Sequence, residues 1–226
     1  MADLDHLAEL DINPLLASPD GVLALDARIH VAEPHQRGAA RLAIRPYPKE
    51  LEKPIKVADG TTFLLRPIQP EDAPALRGMV EKWTEAEDRR LRFFTSFKTL
   101  APELGARLTQ IDYEREMALV AVDPERAFEE SFCGVVRISA DPDRERAEYA
   151  LLVRSDMKGR GLGTTLMHEI IDYARSQGIG ELFGSVLREN RTMLDLAERL
   201  GFERVRDTED PEVVEVRLPL NRKEAA

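Results

Sequence analysis

Apolar and polar positions alternate in short blocks along most of the chain, and the blocks predict a protein that mixes strands with helices. Three apolar runs follow one another in the middle of the sequence, EMALVAVD, SFCGVVRISA and AEYALLVR, with polar turns between them. Runs of this length bounded by turn residues are typical of strands, and short turns favour antiparallel neighbours. After them, apolar residues recur at Leu162, Leu166, Ile170 and Ala174, which is the spacing of one face of an amphipathic helix.

Weaker patterns on both sides extend the same alternation. The runs TTFLLRPI, GELFGSVL, ERVRD and EVVEVRLPL predict four more strands, and QPEDAPALRGMVEKW begins a helix with acidic residues in its first turn. Two short helices are predicted in TEAEDRRLRFFTSFKTLAPELGARLTQI, and NRTMLDLAERLGF predicts a helix that ends at Gly201. The predicted class is therefore α+β, with a mixed sheet and helices packed on it.

A separate short unit precedes these elements. Two apolar runs, 10–16 and 22–31, flank the turn SPDG, which is the pattern of a hairpin. About thirty residues cannot bury a core of their own, so we expect this unit to dock on another surface. The next stretch is rich in proline and has no steady period, which predicts a linker or an extended arm. The expected organisation is a unit at 1–35, a linker at 36–60, the main domain at 61–220 and a tail at 221–226.

Composition and charge narrow the classes of function. The 226 residues carry a formal net charge of -10, so non-specific nucleic-acid binding has no electrostatic support. The single cysteine, Cys133, excludes an internal disulfide and suits a reducing compartment, and the run SFCGVVRI predicts that it is buried in a strand. No apolar run is long enough to span a membrane, and the acidic N-terminus is unlike a signal peptide. We therefore expect a cytoplasmic protein with no nucleic-acid partner, no membrane partner and no metal site.

The stretch DMKGRGLGTTLMHEII is the strongest candidate for chemistry. Its three glycines, Gly159, Gly161 and Gly163, stand between a predicted strand and a predicted helix. Bare backbone at a helix N-terminus leaves unpaired N–H groups that bind anions such as phosphate. A P-loop is excluded because Lys-Ser/Thr does not follow the last glycine, and a Rossmann fingerprint is excluded by the G-x-G-x-G spacing after an antiparallel meander. A pyrophosphate loop at 158–163 is favoured over a merely flexible turn.

The residues VRSDMKGRGLGTTLMHEIIDYARSQGI and GSVLRENRTMLDLAERLGF resemble the coenzyme A core of the GNAT N-acetyltransferases, and the resemblance covers roughly residues 60 to 220. It implies a mixed, mostly antiparallel sheet splayed around acetyl-CoA, with helices on both faces. It also implies that the backbone of Leu152 and Val153 binds the pantetheine and the thioester carbonyl, and that Asn190 contacts the cofactor. The pyrophosphate would be held by the loop residues Lys158, Gly159, Arg160, Gly161, Leu162 and Gly163, with Thr164 close by.

A second resemblance concerns the acceptor. The segments RRLRFFTSFKTL and LTQIDYEREMALVAV look like the GNAT domain of bacterial Pat-type protein lysine acetyltransferases, which are fused to a module similar to NDP-forming acyl-CoA synthetases. The segments ELDINPLL and ALDARI are similar to the last strands of an ATP-grasp domain, where Asp11, Asn13 and Asp26 would match ligands of a magnesium nucleotide. Since the phosphate-binding loops of such a module are missing from the sequence, we expect residues 1–35 to be either a remnant or the edge of a truncated larger protein, and not to bind Mg-ATP by themselves.

Acetyl transfer to an amine requires a base, and two carboxylates are candidates. Only about one lysine amine in a few thousand is neutral at pH 7. Glu148 lies on the strand that should carry the thioester, where an apolar neighbourhood would raise its pKa, and Pat-type relatives use a Glu on this strand. The alternative for Glu148 is a solvent-facing side chain with no catalytic role. Glu116 is the second candidate for the base. The Val153 amide would stabilise the oxyanion. The tyrosine acid of many family members is replaced by Ala197, so the thiolate would be protonated by water or would simply depart.

The expected function is transfer of an acetyl group from acetyl-CoA to protein lysines, which would regulate metabolic enzymes such as acyl-CoA synthetases. Possible docking to an acyl-CoA synthetase-like module follows from the same resemblance. A small-molecule amine or a protein N-terminus as acceptor, and a non-catalytic acyl-CoA sensor, stay open. His168 is expected to be exposed. Trp83, Phe93 and Phe94 could line the substrate cleft, although aromatic residues at helical spacing more often belong to a core.

Overall fold

The computed structural model describes residues 4–19, 21–33, 45–206 and 210–220, without the side chain of residue 206. The chain divides into two compact units, Met1–Pro46 and Tyr47–Ala226. The start of the predicted linker, up to residue 44, and the predicted tail at 221–226 lie outside the described residues. Within the described part of the chain, no helix is long and apolar enough to cross a membrane.

The first unit consists of two nested hairpins. Strand β1 (Leu7–Ile12) pairs antiparallel with β4 (Ala27–Val31), and β2 (Leu15–Ser18) pairs antiparallel with β3 (Gly21–Ala24). The predicted hairpin is confirmed in outline, but each of its two predicted strands is divided. Leu16, Val22 and Ile29 are among the many apolar side chains of this unit that are exposed, and Leu7 is buried.

The second unit is built on one eight-stranded sheet. Its strands are β5 (Lys53–Lys56), β6 (Thr62–Pro67), β7 (Glu116–Val122), β8 (Phe132–Ala140), β9 (Arg146–Val153), β10 (Glu181–Leu187), β11 (Glu203–Arg206) and β12 (Val213–Pro219). The order across the sheet is β11-β12-β10-β9-β8-β7-β6-β5. The β9–β10 pair is parallel and the other neighbours are antiparallel. Strand β5 falls inside the range that the sequence assigned to the linker.

Helices cover both faces of this sheet, as the sequence predicts. They are α1 (Ala73–Lys82), α2 (Ala86–Phe93), α3 (Pro102–Thr109), α4 (Leu162–Ser176) and α5 (Arg191–Arg199). Side chains of α4 and α5 build the larger core cluster on one face, and those of α1 build a second cluster on the other face, with α3 packed against it. The alternation of side chains along β9 therefore divides the strand between two cores, with Leu152 in the cluster of α1 and Tyr149 in the cluster of α4.

Cys133 is buried in β8, as the sequence predicts. Burial raises the pKa of its thiol to about 11, because the charged thiolate is poorly solvated in the core. A thiol of this kind is chemically inert at neutral pH, so it belongs to the packing of the sheet.

Candidate active site

The parallel strands β9 and β10 stop pairing about halfway along their length. Their register joins Arg146 to Glu181 and ends at the pair Glu148 and Phe183. Beyond this point β9 still pairs with β8 up to Val153, and β10 still pairs with β12. The five residues 149–153 of β9 therefore border a gap in the middle of the sheet.

A glycine and a tyrosine meet at the start of this gap. A Cβ atom on Gly184 would lie 2.5 Å from Cε1 of Tyr149, so the tyrosine ring occupies the space that a side chain on β10 would need. The ring also packs against Phe202, with the ring centroids 5.1 Å apart. Burial raises the pKa of the Tyr149 phenol, and its hydroxyl has no hydrogen-bond partner among the described residues. Any side chain at position 184 would force this ring to move.

The hydrogen bonds between β8 and β9 show which backbone groups face the gap. At the two ends of the pair, Arg154 N–H donates to Cys133 O and Asp141 N–H donates to Arg146 O, each at 3.0 Å. Since backbone groups alternate in direction along an antiparallel strand, the even-numbered residues of β9 turn toward β8. The N–H and C=O groups of Leu151 and Val153 therefore face the gap. Those of Leu152, which the sequence analysis selected, face β8.

Helix α4 begins at the far end of the gap with an open N-terminus. Its N-cap residue is Gly161, at φ 89°, and no side chain of the described residues caps the helix. The first backbone bond into the helix runs from Thr165 N–H to Gly161 O at 3.0 Å. The preceding N–H groups of the glycine loop are thus left for a ligand, and the helix dipole places partial positive charge there.

The glycine loop is fastened to the turn between β5 and β6. A Cβ atom on Gly161 would lie 2.9 Å from the Cβ atom of Ala58, so this position needs glycine for its left-handed backbone and for this close contact. The Arg160 guanidinium forms an ion pair with Asp59 and donates to Thr61 Oγ1 at 2.7 Å. The Thr61 backbone N–H and then Arg160 lower the pKa of Asp59 to about 2. Access for an anion, the reason inferred from the sequence, is therefore not the only reason for glycine at position 161.

A second attachment joins the loop to helix α2. The Lys158 ammonium forms an ion pair with Asp88, whose carboxylate also accepts a hydrogen bond from Ser155 Oγ at 2.5 Å. Ser155 Oγ in turn accepts from the backbone N–H of Glu85 at 2.8 Å. The positive charge of Lys158 is therefore partly neutralised within the protein. The neutral backbone N–H groups carry more of the anion-binding capacity than the sequence suggested.

Arg154 is a buried cation directly before the loop, and nothing in its sequence pattern predicts this burial. Its side chain is 0% exposed, lies 4.1 Å from the ring centroid of Trp83 and makes two hydrogen bonds to Asp156, at 3.0 and 2.8 Å. It also donates to Glu130 O at 2.9 Å, and its bonds to Asp156 lower the pKa of that carboxyl. Trp83, expected as a candidate for the cleft, instead packs against this buried guanidinium.

Glu148 is exposed and lies on the face of β9 that is on the same side of the sheet as helices α1 and α2. In register across the sheet, Glu148 pairs with Ser139 and Ser139 pairs with Glu116, so the two candidate bases lie in one row. The expected apolar neighbourhood of Glu148 is not found. Its neighbours include two half-buried arginines, Arg92 and Arg137, and Glu148 acts electrostatically on Arg92.

The remaining predicted residues lie on helices α5, α4 and α2 or at their ends. Asn190 is the N-cap of α5, where its Oδ1 accepts from the Met193 N–H at 3.1 Å, and its NH₂ group can still donate to a ligand. Ala197 is buried on the same helix. His168 is exposed, as predicted. Phe93 packs against the second core cluster, and Phe94 is exposed.

In the first unit, the three residues assigned to nucleotide ligands lie near one end of the β1–β4 pair. Asn13 N–H donates to Asp26 O at 3.2 Å, and Asp11 is in register with Arg28. Within the described residues, no three His, Cys, Asp or Glu side chains converge as a metal site would require.

Comparison with known proteins gives a consistent assignment. The chain is 35% identical to Acetyltransferase PA5475 of Pseudomonas aeruginosa, over 72% of this chain and 86% of that protein. It is 32% identical to Acetyltransferase Pat of Mycolicibacterium smegmatis over 74% of this chain, and the match spans 49% of that longer protein.

Solved structures agree. The GNAT domain of S. lividans PAT superposes with a TM-score of 0.70 at 27% identity, over 77% of this chain and 99% of that domain. The fold is also that of a phosphinothricin acetyltransferase from Sinorhizobium meliloti solved with acetyl-CoA, with a TM-score of 0.55 at 15% identity, over 69% and 86% of the two chains. The sequence profile of the acetyltransferase (GNAT) family matches residues 81–202. The gap between β9 and β10, the open N-terminus of α4 and these matches agree, and the chain belongs to the acetyltransferase (GNAT) family.

Proposed function

We propose that this chain transfers the acetyl group of acetyl-CoA to the ε-amine of lysines in proteins. The observation that carries the proposal is the gap between β9 and β10, which leads from Glu148 at one end to the open N-terminus of α4 at the other. The similarity to two proteins named Pat supports an acceptor of the same kind, and metabolic enzymes such as acyl-CoA synthetases are the class of acceptor we expect.

The donor would lie along the gap. The backbone groups of Val153 and Leu151 face it and would bind the pantetheine amides, so Leu151 takes the place of Leu152 in this role. The pyrophosphate would bind the backbone N–H groups of the glycine loop and of the first turn of α4. The residues proposed to bind the donor are Leu151, Val153, Lys158, Gly159, Arg160, Gly161, Leu162, Gly163, Thr164 and Asn190.

The reaction would be direct attack of the amine on the thioester. Glu148 would accept one proton of the lysine ammonium, and the neutral amine would then attack the thioester carbon, so that the C–N bond forms before the C–S bond breaks. The Val153 N–H would stabilise the oxyanion that develops between these events. Since Ala197 offers no acid, the second proton of the attacking nitrogen would pass through water to the departing thiolate.

Donor binding is tested at Gly163. This residue lies in the first turn of α4, and an added Cβ would be 3.4 Å from the nearest atom, Leu151 Cδ2. Gly163→Glu should fold, because acidic residues stabilise a helix N-terminus, and it should lose acetyl-CoA affinity by repulsion of the pyrophosphate. Gly163→Gln is the control with the same shape and no charge. Equal calorimetric affinities of both variants and the wild type for acetyl-CoA would show that the loop does not bind the pyrophosphate.

The acceptor is tested by incubating the protein with acetyl-CoA and a bacterial lysate, followed by mass spectrometry. Acetylated lysines that appear with the wild type and not with Glu148→Gln support the proposal. Acetylation confined to small amines or to protein N-termini would favour another acceptor class. Binding of acetyl-CoA with no acetylated product would favour a sensor.

For the first unit we propose a segment similar to the end of an ATP-grasp module, which docks on an acyl-CoA synthetase-like protein. Its apolar side chains, such as Leu23 and Val31, are exposed and suited to a contact. Mg-ATP should produce no magnesium-dependent thermal shift in the wild type. A shift that is present in the wild type and lost in Asp26→Ala would show that this unit binds the nucleotide.

A further inference from the structure

Arg92, at the C-terminal end of α2, is a half-buried cation with no ion pair and no hydrogen bond to the described part of the chain. Its guanidinium lies 4.8 Å from the ring centroid of its neighbour Phe93. Burial and then the nearby Arg137 lower the pKa of Arg92 to about 10, while Glu148 acts in the opposite direction. The protein thus holds a charge in a place where water solvates it poorly.

Arg137, on β8, is a second half-buried cation in the same place. It is in register with Ala150, so it lies diagonally opposite Glu148 on the same face of the sheet. Its Nη2 donates to Leu108 O at 2.5 Å, which leaves further donors of the guanidinium available. Burial lowers the pKa of Arg137 too, and Arg107 contributes in the same direction.

The carboxylates nearby do not neutralise these two arginines by contact. Among the described residues, neither Glu148 nor Glu116 forms an ion pair with Arg92 or Arg137, although each acts on one of them through space. Arg90, on the same helix, differs because its guanidinium binds both Glu87 and Glu189. Two like charges held close together without a bound counter-charge are unfavourable, and an anionic ligand would relieve this.

We propose that Arg92 and Arg137 bind an anionic group of the acceptor next to its reacting amine. In a protein acceptor this group is the carboxylate of an Asp or Glu beside the target lysine. The inference rests on the proposed function, since it assigns Glu148 to the ammonium and the two arginines to the carboxylate. A guanidinium suits this task because its planar donors match the two oxygens of a carboxylate.

The geometry favours this role over a place in donor binding. Arg92 and Arg137 belong to the face of the sheet that carries α1 and α2, and Glu148 lies on that face beside them. The glycine loop opens onto α4, whose side chains pack on the opposite face. A carboxylate held by the arginines would therefore lie on the acceptor side of β9, close to the proposed base.

The test uses fluorescent heptapeptides with a central lysine and an Asp on either side of it, compared with the same peptides carrying Asn. Affinity is measured by fluorescence anisotropy with coenzyme A present, and acetyl transfer is measured separately by thiol release. The wild type should bind the Asp peptides about tenfold more tightly than the Asn peptides. Arg92→Gln should lose this preference, while Arg92→Lys should keep part of it.

Arg175→Gln is the matched control, because Arg175 is an exposed arginine that pairs with Asp172 on α4. It should keep the wild-type preference, and the thermal midpoint of Arg92→Gln should not fall, because no ion pair is lost. Equal binding of Asp and Asn peptides by the wild type, binding of neither, or a preference that survives Arg92→Gln would overturn the inference.

Two further measurements distinguish failure of this inference from failure of the proposed function on which it rests. Tighter binding of the Asp peptides without any acetyl transfer would support the anion site and would refute the proposed lysine acetyltransferase activity. A free α-amino acid that displaces the Asp peptides, and fails to do so in Arg92→Gln, would identify the α-carboxylate as the source of the anion.

Discussion

Glu148 and Phe183 form the last residue pair that joins β9 to β10. The proposed base thus lies at the point where the sheet opens, on the same strand as the Val153 amide that faces the gap. The strand fixes the separation between these two groups, since each residue advances the backbone by about 3.3 Å. A base held by the backbone of a sheet needs little reorganisation when the acceptor arrives.

Replacement of Glu148 tests the chemistry. Glu148→Gln keeps the shape of the side chain and cannot accept a proton, so kcat should fall by about 10² to 10⁴. The rate of the variant should rise more steeply with pH than that of the wild type, because only the neutral amine can then react. Calorimetric affinity for acetyl-CoA should be nearly unchanged. A wild-type rate at pH 7 would exclude Glu148 as base and make Glu116 the next residue to test.

Gly184 tests the packing at the opening of the sheet. Gly184→Ala places a Cβ atom against the Tyr149 ring and should reduce the free energy of unfolding by about 1–3 kcal/mol. Gly105→Ala is the control, since its new Cβ would lie 3.8 Å from the nearest atom and the helix should gain stability. Urea unfolding of both variants measures the difference. The same stability change at the two positions would argue against a special contact at the opening.

Asp59 gives a prediction for acid conditions. Its pKa is lowered to about 2 in the folded protein, against about 3.9 in an unfolded chain, so its ionised form stabilises the fold. This contribution is complete above about pH 4 and is lost as the pH falls toward 2. Asp59→Asn should therefore have a lower thermal midpoint than the wild type at neutral pH, and the difference should shrink between pH 4 and 2. A difference that stays constant over this range would contradict the assignment.

Asp88 tests how much of the loop charge is available to the donor. Asp88→Asn removes the partner of Lys158 and a negative charge near the proposed pyrophosphate site. The variant should bind acetyl-CoA more tightly than the wild type, with the larger gain at low ionic strength. Glu87→Gln removes a neighbouring exposed carboxylate that pairs with Arg90, and it should change the affinity less. Weaker binding by Asp88→Asn would show that Asp88 serves mainly to position the loop.

Periodicity and turn chemistry were sufficient to predict the main sheet and its helices. The three central strands, the helix that begins at Leu162 and the helix that ends before Gly201 lie where the sequence placed them. These signals are local, because each depends on residues within one element. Strand β5 was missed because its four residues include Pro54, which weakens a strand pattern.

The residues that surround the site were harder to predict, because they meet only through the fold. Arg92 and Arg137 are 45 positions apart in the sequence, and nothing in either segment indicates that both approach Glu148. The direction of the Leu151 backbone follows from the register with β8, which a single sequence does not specify. In the sequence Arg154 is a charged residue at the end of a predicted strand, and its burial against Trp83 is visible only in three dimensions.

Helix α2 carries Asp88 and Arg92 one turn apart, so one short helix touches both the proposed donor loop and the proposed acceptor face. A diphosphate at the loop would compete with Asp88 for Lys158 and loosen this attachment of the helix. We expect from this an ordered kinetic sequence in which the donor binds first and the acceptor second. In Asp88→Asn the attachment is already weakened, and the two substrates should then bind in random order.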